Sequence, residues 1–439
     1  MTSIAATVQT SVADVGTVLG RAARLLWRHW PVVLAILLAG EAARHAALWA
    51  AVELSDISGT LGVLVLVLAP LSAVSALIAA LYALRHSLRC ARLRTPFDAV
   101  TPGTGGRGTA RVIAGVLVPF LVIYESYGYL SEDIFRFVNS AVADELFGVD
   151  AFLGTETIDT DRTALATGWM ALLVVATALV LRFGLGVLAR RRRGTGLMWA
   201  IAYLEALWLV TLARILIAHV DAAAVRLRQS PAVRTIVDGW LDLVAAAGPV
   251  GDVIHRGVRG VPALMGSVDA VIVAPLAWLA VGAVVYGRGL GEPVRPPGAH
   301  RGARADPLAV GLPAPVRAAG RELATTVTEP FGDVGAALRR LARTGPAVIA
   351  MFALAFMAAQ RLEYVLDLAW REILGPMPLG TMLAFSPHTS MISHAVATTV
   401  VVCLLAAAVD HVLEHDATPA RRETPGAGGP AHGDVRNAR

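Results

Sequence analysis

Lysine is absent from the chain, so all 38 basic residues are arginine. Together with heavy use of Ala, Val and Gly, this reads as a GC-rich coding bias and carries little functional weight. Cysteine is nearly absent too. Cys90 and Cys403 make neither a disulfide framework nor a thiolate metal site. Charge is scarce, at 16% of residues against the roughly 25% usual in soluble domains. With 56% hydrophobic residues and a mean hydropathy of +0.62, most of the chain is expected in lipid. No short apolar N-terminal segment ends in a small-residue cleavage site, so no removed signal peptide is expected. There is no G-x-S-x-G elbow, no C-x-x-C pair, no calcium-loop pattern and no visible nucleophile–base pair. A non-enzymatic role without a cofactor is therefore expected. The net charge of +5 does not point to nucleic acid, because the arginines flank apolar runs and form no basic domain. Membrane lipids are the expected partners.

What the chain does have is length in apolar stretches. About 20 apolar residues cross the hydrocarbon, and eight segments qualify: 31–54, 61–84, 111–130, 164–188, 197–220, 269–286, 345–368 and 388–413. The third carries Pro119 and Glu125, and the sixth is the shortest. Arginine crowds alternate connections: Arg21, Arg24 and Arg28 before the first span, Arg85 to Arg107 after the second, Arg190–Arg193 after the fourth, and a long series after the sixth. The connections between are poorer in arginine or acidic, as in Glu132, Asp133, Asp144 and Asp161, and the 221–268 loop is mixed. The positive-inside rule then puts both termini in the cytoplasm. The expectation is an all-α polytopic integral membrane bundle of about eight helices in a bacterial plasma membrane.

Residues 1–30 read as an amphipathic cytoplasmic segment, on the spacing of Ile4, Val8, Val12, Val15 and Leu19. Residues 31–288 hold spans one to six, with outer loops at 131–163 and 221–268. A flexible cytoplasmic linker is expected at 289–320, an amphipathic juxtamembrane helix at 321–344, spans seven and eight within 345–416, and a disordered tail at 417–439. Outside, Ile134, Val138, Val142 and Leu146 repeat every four residues. These amphipathic segments are expected to lie flat at the interface. Trp27, Trp30, Trp49, Trp240, Trp278 and Trp370 fall mostly near span ends, as interfacial anchors do.

The blocks 14–24 (DVGTVLGRAAR) and 333–343 (DVGAALRRLAR) match at 7 of 11 positions. Each leads through a short connection to a proline, Pro31 or Pro346, that opens a span. A parallel repeat of spans one and two with seven and eight follows, with spans one and seven expected as neighbours.

Several charged residues fall inside the bilayer. At about 1.5 Å per residue, Glu41 lies near the midplane of span one, with Arg44 and His45 about one turn further out. Glu125, Glu205, Arg214, Arg361, Glu363 and His394 lie at comparable depth on four other spans. An ionised group at the centre of an inserted helix costs about 2.5–3.5 kcal/mol, so these groups should face one another or water. Glu41, Arg44 and His45 share one helical face by their spacing of three and four. Two readings compete. In one, Arg44, His45, Arg214 and Arg361 contact an anionic solute or lipid headgroup in an outward-facing polar cavity, with Glu41, Glu125, Glu205, Glu363 and His394 as counter-charges or proton carriers. In the other, the charges only lock the helices of a scaffold or assembly partner. Arg182, Asp410 and His411 lie near the cytoplasmic boundary and are expected to reach water.

Two short motifs lead nowhere. His411, Glu414 and His415 match H-x-x-E-H, but no third zinc ligand is evident, and a charged helix end explains them better. The glycines of 103–109 have phosphate-loop spacing without the lysine or a preceding strand, and read as a linker.

Overall fold

A computed structural model describes residues 2–88, 116–147 without 118, 122 and 126, 169–189, 195–240 without 232 and 236–238, 274–287 and 346–422. The described residues are nearly all helical, with none in a strand. The expected linker 289–320, the helix 321–344, the second repeat block at 333–343, the glycines of 103–109, Arg190–Arg193 and the tail beyond 422 lie outside them. So do residues 148–163 and 241–268 of the two expected outer loops.

The chain begins in a single helix, α1 (Thr2–Ile57), which runs for 56 residues with Pro31 inside it. The sequence suggested a break there, because proline removes an N–H and crowds the preceding turn. The helix continues because Leu25, Val33 and Leu37, on either side of Pro31, are buried in one core. Val18, Ala22 and Leu25 of the expected interfacial segment are buried as well. The ion pair of Arg21 with Asp410 sets this stretch against the last helix, and Leu19 of the expected apolar face is exposed.

Two helices follow almost without interruption, α2 (Gly59–Leu66) and α3 (Leu68–Leu84), closed by a 3-10 turn at Arg85–Ser87. A Cβ on Gly40 would overlap the Ala76 Cβ, so glycine is what lets α1 and α3 approach backbone to backbone. Next come α4 (Tyr129–Phe147), α5 (Trp169–Ala189), α6 (Thr195–Gln229), α7 (Ala274–Gly287), α8 (Pro346–Leu374) and α9 (Leu379–Arg422). The last helix thus continues through 417–422, where the sequence suggested the start of the tail.

The core gathers on α9. Almost every residue from Ala397 to Val412 on its second half is buried, with α1, α7 and α8 packed around it. Its first half differs: nearly every residue from 371 to 388, across the turn between α8 and α9, is exposed. Two tyrosines tie α6 and α7 to the second span. Tyr203 of α6 donates to the Leu64 carbonyl at 2.8 Å, and Tyr286 of α7 to the Leu81 carbonyl at 2.6 Å. Trp278, expected as an interfacial anchor, is instead buried with its ring 6.2 Å from Phe356. Spans one and seven do touch, but α1 packs far more extensively on α9 and α3 than on α8.

Among the described residues, five helices are long and apolar enough to cross a membrane: Gly16–Ile57, Gly59–Ser87, Trp169–Leu188, Trp199–Leu216 and Leu379–Val412. They carry five of the eight expected spans and make this an all-helical membrane bundle. Of the other three, 269–286 yields only a shorter apolar helix, Ala274–Ala283. Segment 345–368 forms part of α8, whose described residues include Arg361, Glu363 and Asp367. Segment 111–130 is described only from residue 116 onward.

The helix α4 corrects the sequence reading in detail. Its buried positions are Leu130, Asp133, Phe137 and Ala141. Of the expected apolar face, Ile134 and Val138 are half-buried against the core, while Val142 and Leu146 are exposed. An acidic residue thus turns inward where an apolar one was expected, and its partner explains why.

Candidate functional site

That partner is Arg44, buried on the face of α1 that also carries Glu41 and His45. Its Nη2 and Nε donate to Oδ1 of Asp133 at 2.7 and 3.1 Å, and its Nη1 donates to Oε2 of Glu41 at 3.3 Å. The Tyr124 hydroxyl donates to the other Asp133 oxygen at 2.5 Å. The rings of Tyr124 and Tyr129 stand 5.6 and 5.4 Å from the guanidinium carbon, within cation–π range. Burial pushes the Asp133 carboxyl above the usual aspartate range, while Arg44 and the Tyr124 hydroxyl pull against that shift.

Local backbone makes this convergence possible. The described residues within 116–125 are helical, and Gly128, at φ 71°, turns the chain into α4. That left-handed conformation favours glycine. It brings Tyr124 and Asp133, nine positions apart, onto the same arginine. A second tie lies beside the first: Arg136 of α4 bonds Glu132 of its own helix at 2.5 Å and lies 3.4 Å from Nε2 of His45. The His45 Nδ1 is 2.9 Å from the Glu41 carbonyl, four residues back on α1.

Behind Arg44 stands His394 of α9. Its Nδ1 lies 3.1 Å from the Tyr129 hydroxyl and 3.4 Å from Glu363 of α8. Its Nε2 is 3.4 Å from the Thr398 hydroxyl and 4.0 Å from the free oxygen of Glu41. Gln360 donates to the Tyr127 hydroxyl at 2.9 Å. Between these groups is a cavity of about 60 Å³, with Glu41, Arg44, Tyr129, Gln360 and His394 on its polar side and Leu37, Ala73 and Trp278 on its apolar side.

The residues singled out in the sequence separate into distinct settings. Glu41, Arg44, His45, Glu363 and His394 come together, on three different helices. Arg214 and Arg361 do not line that cavity. Arg214 has Glu125 as its charge partner, and Arg361 is exposed on α8. Glu205 is hydrogen-bonded by Arg182, so Arg182 turns to a buried carboxylate rather than to water. Asp410 and His411, also expected at the water boundary, are buried. Asp410 lies 3.6 Å from Arg21, and Glu414 accepts from Arg21 at 2.6 Å. Glu414 is therefore committed to an arginine, and the His415 side chain lies outside what is described. Among the described residues no three His, Cys, Asp or Glu side chains gather to hold a metal ion.

Asp133, Arg136, Gln360 and the tyrosines were not foreseen. One signal was available: of the seven tyrosines in the chain, Tyr124, Tyr127 and Tyr129 fall within six positions beside an expected span. So dense a set of hydroxyls at a span end calls for polar partners.

No family model matches the chain, and neither a curated protein nor a solved structure does.

Proposed function

We propose that the chain is a non-catalytic membrane scaffold or assembly partner of the bacterial plasma membrane, both termini cytoplasmic, whose intramembrane charges are structural. The observation that carries this reading is the engagement of all three Arg44 nitrogens by carboxylates of the chain itself. Its Nε, Nη1 and Nη2 all donate to carboxylates, and both Asp133 oxygens accept. An anionic ligand would have to compete with Asp133 and Glu41 for it. The clasp joins α1 to α4, and the exposed turn between α8 and α9 leaves apolar residues such as Ile373, Leu379 and Leu383 for a partner. The test is Arg44→Gln in the full-length chain, followed by the level of protein in the membrane and the lipids and solutes that copurify. The scaffold reading expects the level to fall. An unchanged level with loss of a copurifying molecule contradicts it.

A second reading, binding or translocation of an anionic or amphipathic envelope molecule through an outward-facing cavity, is favoured by one feature. His394 stands between Glu41 and Glu363 at the cavity wall, with the Tyr129 hydroxyl against its ring. A volume of about 60 Å³ holds a few waters or a small polar group, not a whole lipid. Under this reading Glu41, Glu363 and His394 carry the proton or counter-charge, and Arg44 serves as the anion contact. Arg214 and Arg361 are set aside, since neither lines the cavity. His394→Gln should then abolish transport or binding with protein level unchanged. Under the scaffold reading it costs only about 1 kcal/mol of stability, the net worth of a hydrogen bond.

A further inference from the structure

A polar cavity lies toward the N-terminal end of α1, away from the Arg44 clasp. It has a volume of about 480 Å³, within the range of roughly 300–1,000 Å³ typical of small-molecule sites. Three elements build it. Arg21, Arg24 and Arg28 come from α1, His86 from the 3-10 turn after α3, and Asp410 from α9. The arginine spacing of three and four residues sets all three on one face of α1.

The three arginines are not equivalent. Arg21 faces Asp410 and Glu414, at 3.6 and 2.6 Å, so the carboxylate in the cavity wall is already matched. Arg24 and Arg28 are exposed, and among the described residues neither has a carboxylate partner. The Arg24 Nε donates to the Gly20 carbonyl at 3.1 Å, which leaves its two terminal nitrogens free to point into the cavity. His86 adds a further donor: its Nε2 accepts from Arg85 Nε at 3.0 Å, so the neutral ring carries its proton on Nδ1. The mouth of the site therefore has a surplus of positive charge and a surplus of N–H donors. Trp27, 86% exposed, and Trp30, 50% exposed, occupy the same turns of α1. Exposed tryptophans mark the headgroup level of a bilayer, which is where lipid phosphates lie.

We infer that Arg24 and Arg28, with His86, form a binding site for a phosphoryl group between α1, the end of α3 and α9, taken either from an anionic lipid headgroup or from free phosphate. Guanidinium groups bind phosphate through paired, charge-assisted hydrogen bonds. The anion supplies the counter-charge that Arg24 and Arg28 lack, while Arg21 keeps Asp410 from repelling it.

The test uses the full-length protein in two arms. In the first, it is reconstituted in mixed phosphatidylcholine–phosphatidylglycerol bilayers, extracted in mild detergent, and its retained lipids are read by native mass spectrometry. In the second, delipidated protein is titrated with inorganic phosphate by calorimetry. Retention of phosphatidylglycerol over phosphatidylcholine that drops at least about tenfold in R24Q/R28Q identifies a headgroup, since loss of even one of the two charge-assisted contacts gives about that much. No lipid preference, with phosphate binding that the double variant loses, identifies free phosphate at the same site. R24K/R28K keeps the charges without the paired geometry and should fall between wild type and R24Q/R28Q. If the double variant does not fold, R28Q decides alone, since Arg28 is exposed. Equal retention and equal phosphate binding in wild type and variant overturn the site.

Discussion

Two sets of arginines on one helix behave in opposite ways. Arg44 is buried, and three of its nitrogens donate to Asp133 and Glu41 between two tyrosine rings. Arg24 and Arg28 lie twenty and sixteen residues earlier on α1, roughly 24–30 Å away. They are exposed, and among the described residues they meet no carboxylate. The residue type is the same and so is the helix, so the surroundings make the difference. A guanidinium whose three nitrogens each meet one of the protein's own carboxylates holds helices together. One whose donors are open at the headgroup level is available to an anion. Burial alone does not distinguish function from structure in such a chain; the state of the donors does.

The comparison can be broken most forcefully at Arg44. Arg44→Gln leaves the Asp133 carboxylate buried without its cation, which should cost about 3–5 kcal/mol of stability. Thermal unfolding of the purified protein in detergent should show a large fall in midpoint. An unchanged midpoint would put Arg44 in the same class as Arg28. A smaller effect is expected from Gly40→Val, one turn before Arg44. The added side chain meets Ala76 and forces α1 from α3, at about 1–3 kcal/mol as in other overpacked cores. Cysteine pairs across α1 and α3 should then cross-link more slowly, and an unchanged rate would mean that Gly40 does not set the close approach of the two helices. The smallest effect belongs to Arg28→Gln, an exposed substitution that should shift stability by no more than about 0.5 kcal/mol. A large loss of stability there would make Arg28 structural and erase the contrast.

The sequence carried some of this and not the rest, for physical reasons. Five long apolar runs became membrane-length helices because nothing but lipid or core accommodates them. Glu41, Arg44 and His45 were legible as one cluster because helical spacing alone puts them on one face. The direction in which Arg214 and Arg361 point was not legible, because rotation about a helix axis is set by packing against neighbours. The inward turn of Asp133 ran against the apolar pattern of its own helix. Asp133 pairs with Arg44, and no local periodicity records a partner 89 residues away. The continuity of α1 through Pro31 was hidden for a similar reason, since the burial of Leu25, Val33 and Leu37 that overrides the proline comes from distant helices.

The central claim is that Arg44 and Asp133 act as a structural pair. A double-mutant cycle on unfolding stability, with R44Q, D133N and R44Q/D133N, tests it most directly. A structural pair gives a double variant clearly more stable than the sum of the single losses predicts, with a coupling in the range of about 0.5–3 kcal/mol found for contacting residues. Additive losses, or single variants as stable as wild type that no longer copurify with a bound molecule, would contradict the account and return Arg44 to a binding role.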